Sequence, residues 1–325
     1  MNIRRLKNTT MTEKEMDAHY TALAKGEVQK PSNDFYDRCK GAIVGLFVGD
    51  ALGQPIEFAS KLGHRWVDKM EYGEVWGIPK GAITDDSSMA LNIMQGFMDD
   101  PEHYDVRNVA KAFVAWMDKG QWSVTGNCFD IGSSCSSGLH AFKATGSVVN
   151  GSSYSNGCGG IMRFAPSWMI AVKLGKTLKE RLDIMLAIND IDHHNTECDA
   201  AVKALASDLD KHLFCKPERT RYLGNWKSWR TPTGSGRAAG CYETALWAFD
   251  YTNNFRDAVV ACVNLGGDTD SCGAVCGQIA GSYYGYKAIP TEWVDALVWR
   301  DKLLAFVDEF LEATIASPKA DEDAA

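Results

Sequence analysis

The sequence predicts an all-α protein built around one large domain. From Asp34 onward, apolar residues recur at helical spacing, and neither an alternating strand pattern of useful length nor a strand–helix rhythm competes with them. In the last apolar stretch, for example, Trp293, Leu304 and Leu311 share one face of a predicted helix. The predicted helices cover about residues 36–50, 86–99, 106–118, 134–143, 160–174, 179–191, 196–212, 238–251, 255–263, 271–284 and 293–313.

Composition and charge narrow the function classes. The chain has 325 residues, of which 45% are hydrophobic and 23% are charged, as is ordinary for a globular protein. Its formal net charge is −8, and its lysines and arginines are scattered along the chain. A phosphate backbone would meet no basic surface, so we expect no nucleic-acid partner.

The apolar segments and the cysteines indicate a cytoplasmic protein. The N-terminal stretch MNIRRLKNTTMTEKEMDAHY has no apolar core of signal-peptide length, and the most apolar segment, GAIVGLFVGDALG, is broken by Asp50. We therefore expect no membrane span. The ten cysteines lie singly in apolar or glycine-rich segments, which is typical of buried, reduced thiols rather than of disulfides or a zinc site.

The two ends of the chain differ from the part between them. Thr12 and Glu15 have the spacing of a helix capping box, and Met16, Tyr20 and Leu23 follow at near-helical spacing. Residues 1–35 are therefore predicted to be an N-terminal extension, a short helix plus linker, which is either a frayed end or an arm that binds a partner. The main domain is predicted to cover 36–315, and the tail 316–325 to be disordered.

A first acidic motif lies at the start of a predicted helix, in GAITDDSSMALNIMQGF. Thr84, Asp85, Asp86 and Ser87 come immediately before its apolar positions. One acidic or hydroxyl residue at this place is commonly a helix cap. Two adjacent aspartates with flanking hydroxyls exceed what capping requires, so the motif also predicts metal or substrate binding.

A second motif, NLGGDTDSCG, repeats this composition at another helix start, with Asp268, Asp270 and Ser271. Four carboxylates brought together would repel one another unless a cation neutralised them. Oxygen ligands without histidine or cysteine favour magnesium, manganese or calcium, and two such converging helix starts would suit a two-metal site. An EF-hand is excluded, because Ile279 stands where the bidentate glutamate belongs.

Small residues follow the second motif. Gly273, Gly277 and Gly281 are spaced four apart and lie on one face of the predicted helix. Glycine costs about 1 kcal/mol of helix propensity relative to alanine. Such a row indicates that another backbone approaches closely, and we expect the helix that carries Asp85 and Asp86 to be this neighbour.

Four segments in this order resemble the ADP-ribosylglycohydrolase family. They are GAIVGLFVGDALGQPIEF, TDDS, GCGGIMRFAP and GGDTDS, and the resemblance extends from about residue 36 to 313. It implies a compact orthogonal helical bundle with two magnesium ions, or manganese, in a cleft. The implied metal ligands are Thr84, Asp85, Asp86, Asp268, Asp270 and Ser271.

The resemblance also implies residues for catalysis and substrate binding. Glu57 and Asp130 match acidic residues that the family places near the metals or the reacting ribose, and one of them would be the acid or base. Asp50 would support the ligands from behind. The implied substrate-binding residues are Gly157, Gly159, Gly160 and Arg163, although an ion-pair role for Arg163 is equally compatible with the sequence, and His193 is expected to be structural.

The expected function is magnesium-dependent hydrolysis that removes ADP-ribose from modified protein side chains, with arginine as the preferred acceptor. Some members of the family are immunity proteins paired with ADP-ribosyltransferase toxins. The N-terminal extension suggests the same role for this protein. In the alternative reading, the protein acts mainly by binding the toxin and occluding its active site through residues 1–35.

Overall fold

The computed structural model describes residues 10–215, 227, 232 and 234–315. Within these ranges the all-α prediction is confirmed, because strand-type pairing is confined to two isolated bridges. No helix there is long and apolar enough to cross a membrane. The helices are α1 (Glu13–Ala24), α2 (Phe35–Gly53), α3 (Asp85–Met98), α4 (Val106–Lys119), α5 (Ser133–Thr145), α6 (Gly159–Met162), α7 (Ala165–Leu174), α8 (Leu178–His193), α9 (Thr196–Asp210), α10 (Ala238–Tyr251), α11 (Phe255–Val263), α12 (Thr269–Tyr284), α13 (Thr291–Ala296) and α14 (Arg300–Ile315).

Two antiparallel helices in direct backbone contact, α2 and α12, form the centre of the fold. Gly41, Gly45 and Gly49 of α2 face Gly281, Gly277 and Gly273 of α12, and a Cβ atom on any of them would come within 3.0 Å of the opposite backbone. The expectation that the glycine face of α12 packs against α3 was therefore wrong. The reason is that α2 carries a matching row of glycines at four-residue spacing, which lets the two backbones approach on both sides.

Two helices that were predicted to be continuous are interrupted. The predicted helix 160–174 divides into α6 and α7, because Pro166 occupies the first turn of α7 and lacks the amide hydrogen that a continuous helix needs. The predicted helix 293–313 divides into α13 and α14. Between them Trp299 adopts a left-handed φ of +63°, and the amide of Val298 donates to the carbonyl of Gly81 at 2.9 Å. A tertiary contact thus overrides the helical pattern.

The N-terminal helix α1 begins with the predicted capping box. The side chain of Thr12 accepts from the amide of Glu15, and the side chain of Glu15 accepts from the amide of Thr12 at 2.8 Å. The helix packs onto the domain: Met16 and Tyr20 are fully buried, and the hydroxyl of Tyr20 donates to the carbonyl of Ala261 in α11. The domain boundary at residue 35 stays a prediction. The tail 316–325 lies outside the described residues.

The contact between α2 and α12 predicts a large effect for Gly49→Ala. The added methyl group would overlap the backbone of Gly273, so we expect the free energy of unfolding to fall by about 3 kcal/mol. Urea denaturation measures this change. If the helices could separate freely, alanine would instead stabilise α2 by about 1 kcal/mol, which would contradict the account.

Candidate active site

A cleft of about 240 Å³ opens where the N-terminal ends of α3, α5, α6 and α12 meet. The C-terminal end of α2 lies beside the start of α12. There the hydroxyl of Thr269 donates a hydrogen bond to the carbonyl of Gly53 at 2.7 Å. The chain that continues from α2 reaches the cleft at Glu57 and Phe58. The lining residues are Glu57, Phe58, Asp85, Asp130, Gly132, Ser133, Ser134, Cys135, Gly157, Cys158, Gly159, Met162, His193, Gly236, Asp268, Asp270 and Ser271.

A first carboxylate cluster joins α2, α3 and α12. Asp50, Asp86 and Asp270 each place one carboxylate oxygen within 4.8 Å of the others. Asp50 accepts hydrogen bonds from the amide and hydroxyl of Thr84 at 3.0 Å and from the amide of Ser87 at 3.1 Å. The Thr84 hydroxyl also lies 3.1 Å from Asp86 and 3.4 Å from Asp270. Asp50 therefore fixes the position of Thr84, and its supporting role behind the ligands stays a prediction.

A second carboxylate cluster shares Asp270 with the first. Glu57, Asp130 and Asp270 bring carboxylate oxygens within 4.8 Å of one another. The indole N–H of Trp76 donates to Glu57 Oε2 at 2.6 Å and so orients that side chain. Asp130 has a left-handed φ of +59°, an unfavourable backbone geometry that is typical of functional sites. Asp270 therefore lies between two groups of carboxylates.

The charges of these clusters are poorly compensated by the protein. Burial, reinforced by the neighbouring carboxylates, raises the pKa of Asp85, Asp86 and Asp270 well above the usual range. Burial likewise raises the pKa of Glu57 to about 9 and that of Asp130 to about 12. Asp86 Oδ1 and Asp130 Oδ2 are buried and have no hydrogen-bond partner among the described residues. An oxygen-only donor set with such unpaired atoms fits a hard divalent cation.

The other three predicted ligands line the cleft but lie outside these two compact clusters, whereas Thr84 and Asp86 are fully buried and do not line it. Asp85 and Asp268 line the cleft, and Asp268 accepts a hydrogen bond from the thiol of Cys158 at 3.3 Å. Ser271 also lines it, with its hydroxyl 3.8 Å from the sulfur of Met162. Their roles as ligands stay predictions.

The predicted substrate-binding residues are divided between the cleft and the core. Gly157 and Gly159 line the cleft, whereas Gly160 does not, and a Cβ atom on Gly160 would clash with the side chain of Asn189. Arg163 is fully buried and does not line the cleft. Its guanidinium forms a two-pronged ion pair with Asp192, one arm of which measures 3.0 Å. This geometry favours the ion-pair reading of Arg163.

That ion pair also positions a residue of the cleft wall. Asp192 accepts from Nδ1 of His193 at 2.7 Å, and His193 lines the cleft beside Gly157 and Gly159. Burial alone would raise the pKa of Asp192. Arg163 and His193 outweigh this effect and hold the pKa of Asp192 well below its usual range. The expectation that His193 makes a structural hydrogen bond agrees with this contact.

Sequence reasoning did not find three residues of the cleft region. Trp76 holds Glu57, Cys158 contacts Asp268, and Phe58 stands at the rim. Trp76 lies in a loop without periodicity, so no sequence signal pointed to it. Phe58 and Cys158 belonged to segments that had been noted, but only the fold shows which atoms they approach.

Comparison with known proteins identifies the family. The family model described as ADP-ribosylglycohydrolase matches residues 31–320. The chain belongs to the ADP-ribosylglycohydrolase family. A solved structure described as an ADP-ribosylglycohydrolase-related protein complex has a TM-score of 0.73 and 28% identity to this chain, covering 87% of it and 100% of that chain.

Curated relatives in the ADP-ribosylglycohydrolase family share about 30% of their residues with this chain. The ADP-ribosylarginine hydrolase Tri1 of Pseudomonas putida (strain GB-1) is 31% identical, over 88% of this chain and 80% of the relative. The protein of the same name from Serratia proteamaculans (strain 568) is 29% identical, over 84% and 78%. The ADP-ribosyl-[dinitrogen reductase] glycohydrolase of Rhodospirillum rubrum is 29% identical, over 81% and 90%. This chain is accordingly a hydrolase of ADP-ribosylglycohydrolase type.

The raised pKa values predict how the stability of the metal-free protein depends on pH. Between about pH 4, where unfolded carboxyl groups ionise, and pH 9, the folded protein binds more protons at Glu57 and Asp130 than the unfolded chain does. The free energy of unfolding in chelator should therefore fall as the pH rises through this window. Thermal unfolding at several pH values measures the trend.

A matched variant tests the source of this trend. Asp130→Asn removes one of the titrating groups, so we expect the melting temperature in chelator to depend less on pH than in the unmodified protein. Adding magnesium should also flatten the trend, since the cation compensates the charges. A metal-free protein that becomes more stable between pH 6 and 8 would contradict the prediction.

The buried ion pair predicts a loss of stability for Arg163→Met. This change removes the permanent cation beside the buried Asp192 and leaves only His193 in contact with it, so the free energy of unfolding should fall by about 3–5 kcal/mol. Adding Asp192→Asn should restore part of the loss. Unchanged stability together with a raised KM would show instead that Arg163 contacts the substrate directly.

Proposed function

We propose that this protein is a magnesium-dependent hydrolase that removes ADP-ribose from modified arginine side chains. The observation that carries the proposal is the pair of carboxylate clusters that share Asp270, a residue that lines the cleft together with Glu57 and Asp130. Two clusters with one common member suit two cations, and manganese could replace magnesium because both prefer oxygen ligands.

The proposed ligands are distributed over the two clusters. Thr84, Asp86 and Asp270 would hold one cation, and Asp270 with Glu57 and Asp130 would face the second. The bound cations would supply Lewis-acid stabilisation of ribose hydroxyls and of the attacking water. Asp85, Asp268 and Ser271 would complete the ligand set from the same cleft wall.

The reaction breaks the bond between C1″ of the distal ribose and the guanidinium nitrogen. The water oxygen adds to C1″, one water proton leaves to a base, and the departing nitrogen gains a proton. Glu57 and Asp130 are the proposed proton-transfer residues, because both line the cleft and both belong to the cluster around Asp270. Trp76 keeps the Glu57 carboxyl aimed into the cleft.

The substrate-holding surface is proposed to lie along the starts of α5 and α6. Gly132, Ser133 and Ser134 begin α5 at the cleft, and the described structure records no side-chain cap on that helix. The amides at the start of α5, together with the backbone of Gly157, where a Cβ atom would find room, suit the negative charge of a diphosphate.

Arginine as the acceptor and a role in immunity are supported by relatives rather than by the cleft itself. Two relatives are named ADP-ribosylarginine hydrolase Tri1. We propose the same linkage here, with an ADP-ribosylated protein as substrate and an ADP-ribosyltransferase toxin as the source of the modification.

Occlusion of such a toxin by residues 1–35 stays an alternative proposal. The described part of this extension is docked on the domain through Met16 and Tyr20, so any occlusion would involve the surface of the docked helix or residues before it. Deleting residues 1–30 tests this idea: loss of toxin binding with retained hydrolysis would support occlusion, and retained toxin binding would exclude it.

Release of ADP-ribose tests the hydrolase directly. Proteins modified on arginine and on serine are incubated separately with the enzyme, with magnesium and with chelator. We expect release from the arginine linkage only with magnesium. Release that survives chelation would contradict the metal proposal, and release from serine alone would contradict the acceptor.

Replacing one candidate proton-transfer group should slow the chemical step. For Glu57→Gln we expect kcat to fall about 100-fold or more, with the affinity for the product ADP-ribose nearly retained, because the amide keeps the shape of the carboxyl but cannot transfer its proton. Single-turnover kinetics measures the step. A wild-type kcat in this variant would remove Glu57 from the mechanism.

A further inference from the structure

Phe58 is an exposed aromatic side chain at the edge of the cleft. It follows Glu57 directly, lines the cleft and is 58% exposed. Its φ is +61°, a left-handed conformation that is unfavourable for a bulky residue. A strained backbone that presents an exposed ring beside the carboxylates of the cleft is typical of a functional position.

The backbone at Phe58 is tied to the loop that carries Asp268. The amide of Phe58 donates to the carbonyl of Gly267 at 2.7 Å, and the amide of Gly267 donates to the carbonyl of Ala59 at 2.7 Å. Gly267 itself has a φ of +83°, which glycine adopts without strain. This reciprocal pair holds the start of the Phe58 side chain at a set position beside the carboxylates.

The faces of the Phe58 ring are unoccupied by other rings or cations in the part of the chain that the structure describes. Trp76, also next to Glu57, differs: its indole N–H is bound to Glu57, and its ring packs at 5.9 Å from that of Phe129. Phe58 thus offers a π surface next to the proposed reacting groups, whereas Trp76 is already engaged.

We propose that Phe58 receives the guanidinium of the modified arginine and so contributes to the choice of acceptor side chain. This inference rests on the proposed function. The bond to be broken must lie near Glu57 and Asp130, and the acceptor side chain must run from there out to the protein that carries it. It therefore crosses the rim, where Phe58 is the exposed aromatic neighbour of Glu57.

The chemistry of the acceptor suits this contact. A guanidinium is planar, cationic and more weakly hydrated than an ammonium, so it stacks favourably on an aromatic face. Serine, by contrast, presents a neutral oxygen and gains nothing from a ring face. The ring would hold the arginine side chain in line while Glu57 and Asp130 act on the bond.

A series of substitutions at Phe58 tests the proposal. Each replacement is a non-glycine residue, so the strain of the left-handed backbone conformation stays nearly constant. Phe58→Tyr and Phe58→Trp keep a ring, while Phe58→Leu keeps apolar bulk without a π face, and none of them is glycine. The measurements are KM for an ADP-ribosyl-arginine peptide and Kd for free ADP-ribose, which lacks the guanidinium. Thermal unfolding confirms that each variant is folded.

We expect Phe58→Leu to raise KM about tenfold, and the two aromatic variants to stay within about twofold of the original protein. The Kd for ADP-ribose should be the same in all four proteins. An unchanged KM in Phe58→Leu would overturn the proposal, and so would an equal loss of ADP-ribose affinity, since the ring would then contact the nucleotide.

The original protein provides the separate test of the function on which this inference rests. If it does not hydrolyse the arginine linkage at all, the proposed function fails and the inference fails with it. If it hydrolyses the linkage and Phe58→Leu does so with the same KM, only the role of Phe58 is refuted.

Discussion

The structure depends on the backbone contact between α2 and α12. Because glycines line both helices, the two backbones approach more closely than side chains would allow. The helices are antiparallel, so the C-terminal end of α2 and the N-terminal start of α12 lie at the same end of the pair. Asp50 and Asp270 meet there, and the chain leaving α2 delivers Glu57 to the same place. A glycine row that weakens two isolated helices thus assembles the cleft.

Charge is the second constraint, and the protein handles it in two ways. The buried carboxylate of Asp192 is compensated internally by Arg163 and His193, which keep it ionised. The carboxylates around Asp270 have no comparable partner among the described residues, and burial raises their pKa values. A divalent cation would compensate the negative charge of these carboxylates. The difference between these two buried sites is the physical basis for assigning structure to one and metal binding to the other.

Much of this arrangement could be predicted from local sequence, where short-range chemistry decides the outcome. The Thr12 capping box fixes the start of α1, and the two acidic motifs were expected at helix starts that converge. The partner of the α12 glycine row was mispredicted, although α2 carried the same four-residue spacing. The break at Trp299 and the contact of Trp76 with Glu57 depend on distant segments, so no local pattern could reveal them. Arg163 shows the same limit, since its ion pair with Asp192 is visible only in the fold.

We propose that Asp270 joins two groups of ligands and so lets the protein hold two cations. The most direct test is the number of manganese ions bound per chain, measured by electron paramagnetic resonance during titration. Asp270→Asn is compared with Asp100→Asn, a half-buried site just past the C-terminal end of α3, opposite the end that carries Asp85 and Asp86. The account predicts two bound ions in the original protein and in Asp100→Asn, and loss of both in Asp270→Asn. Two ions retained in Asp270→Asn would contradict it.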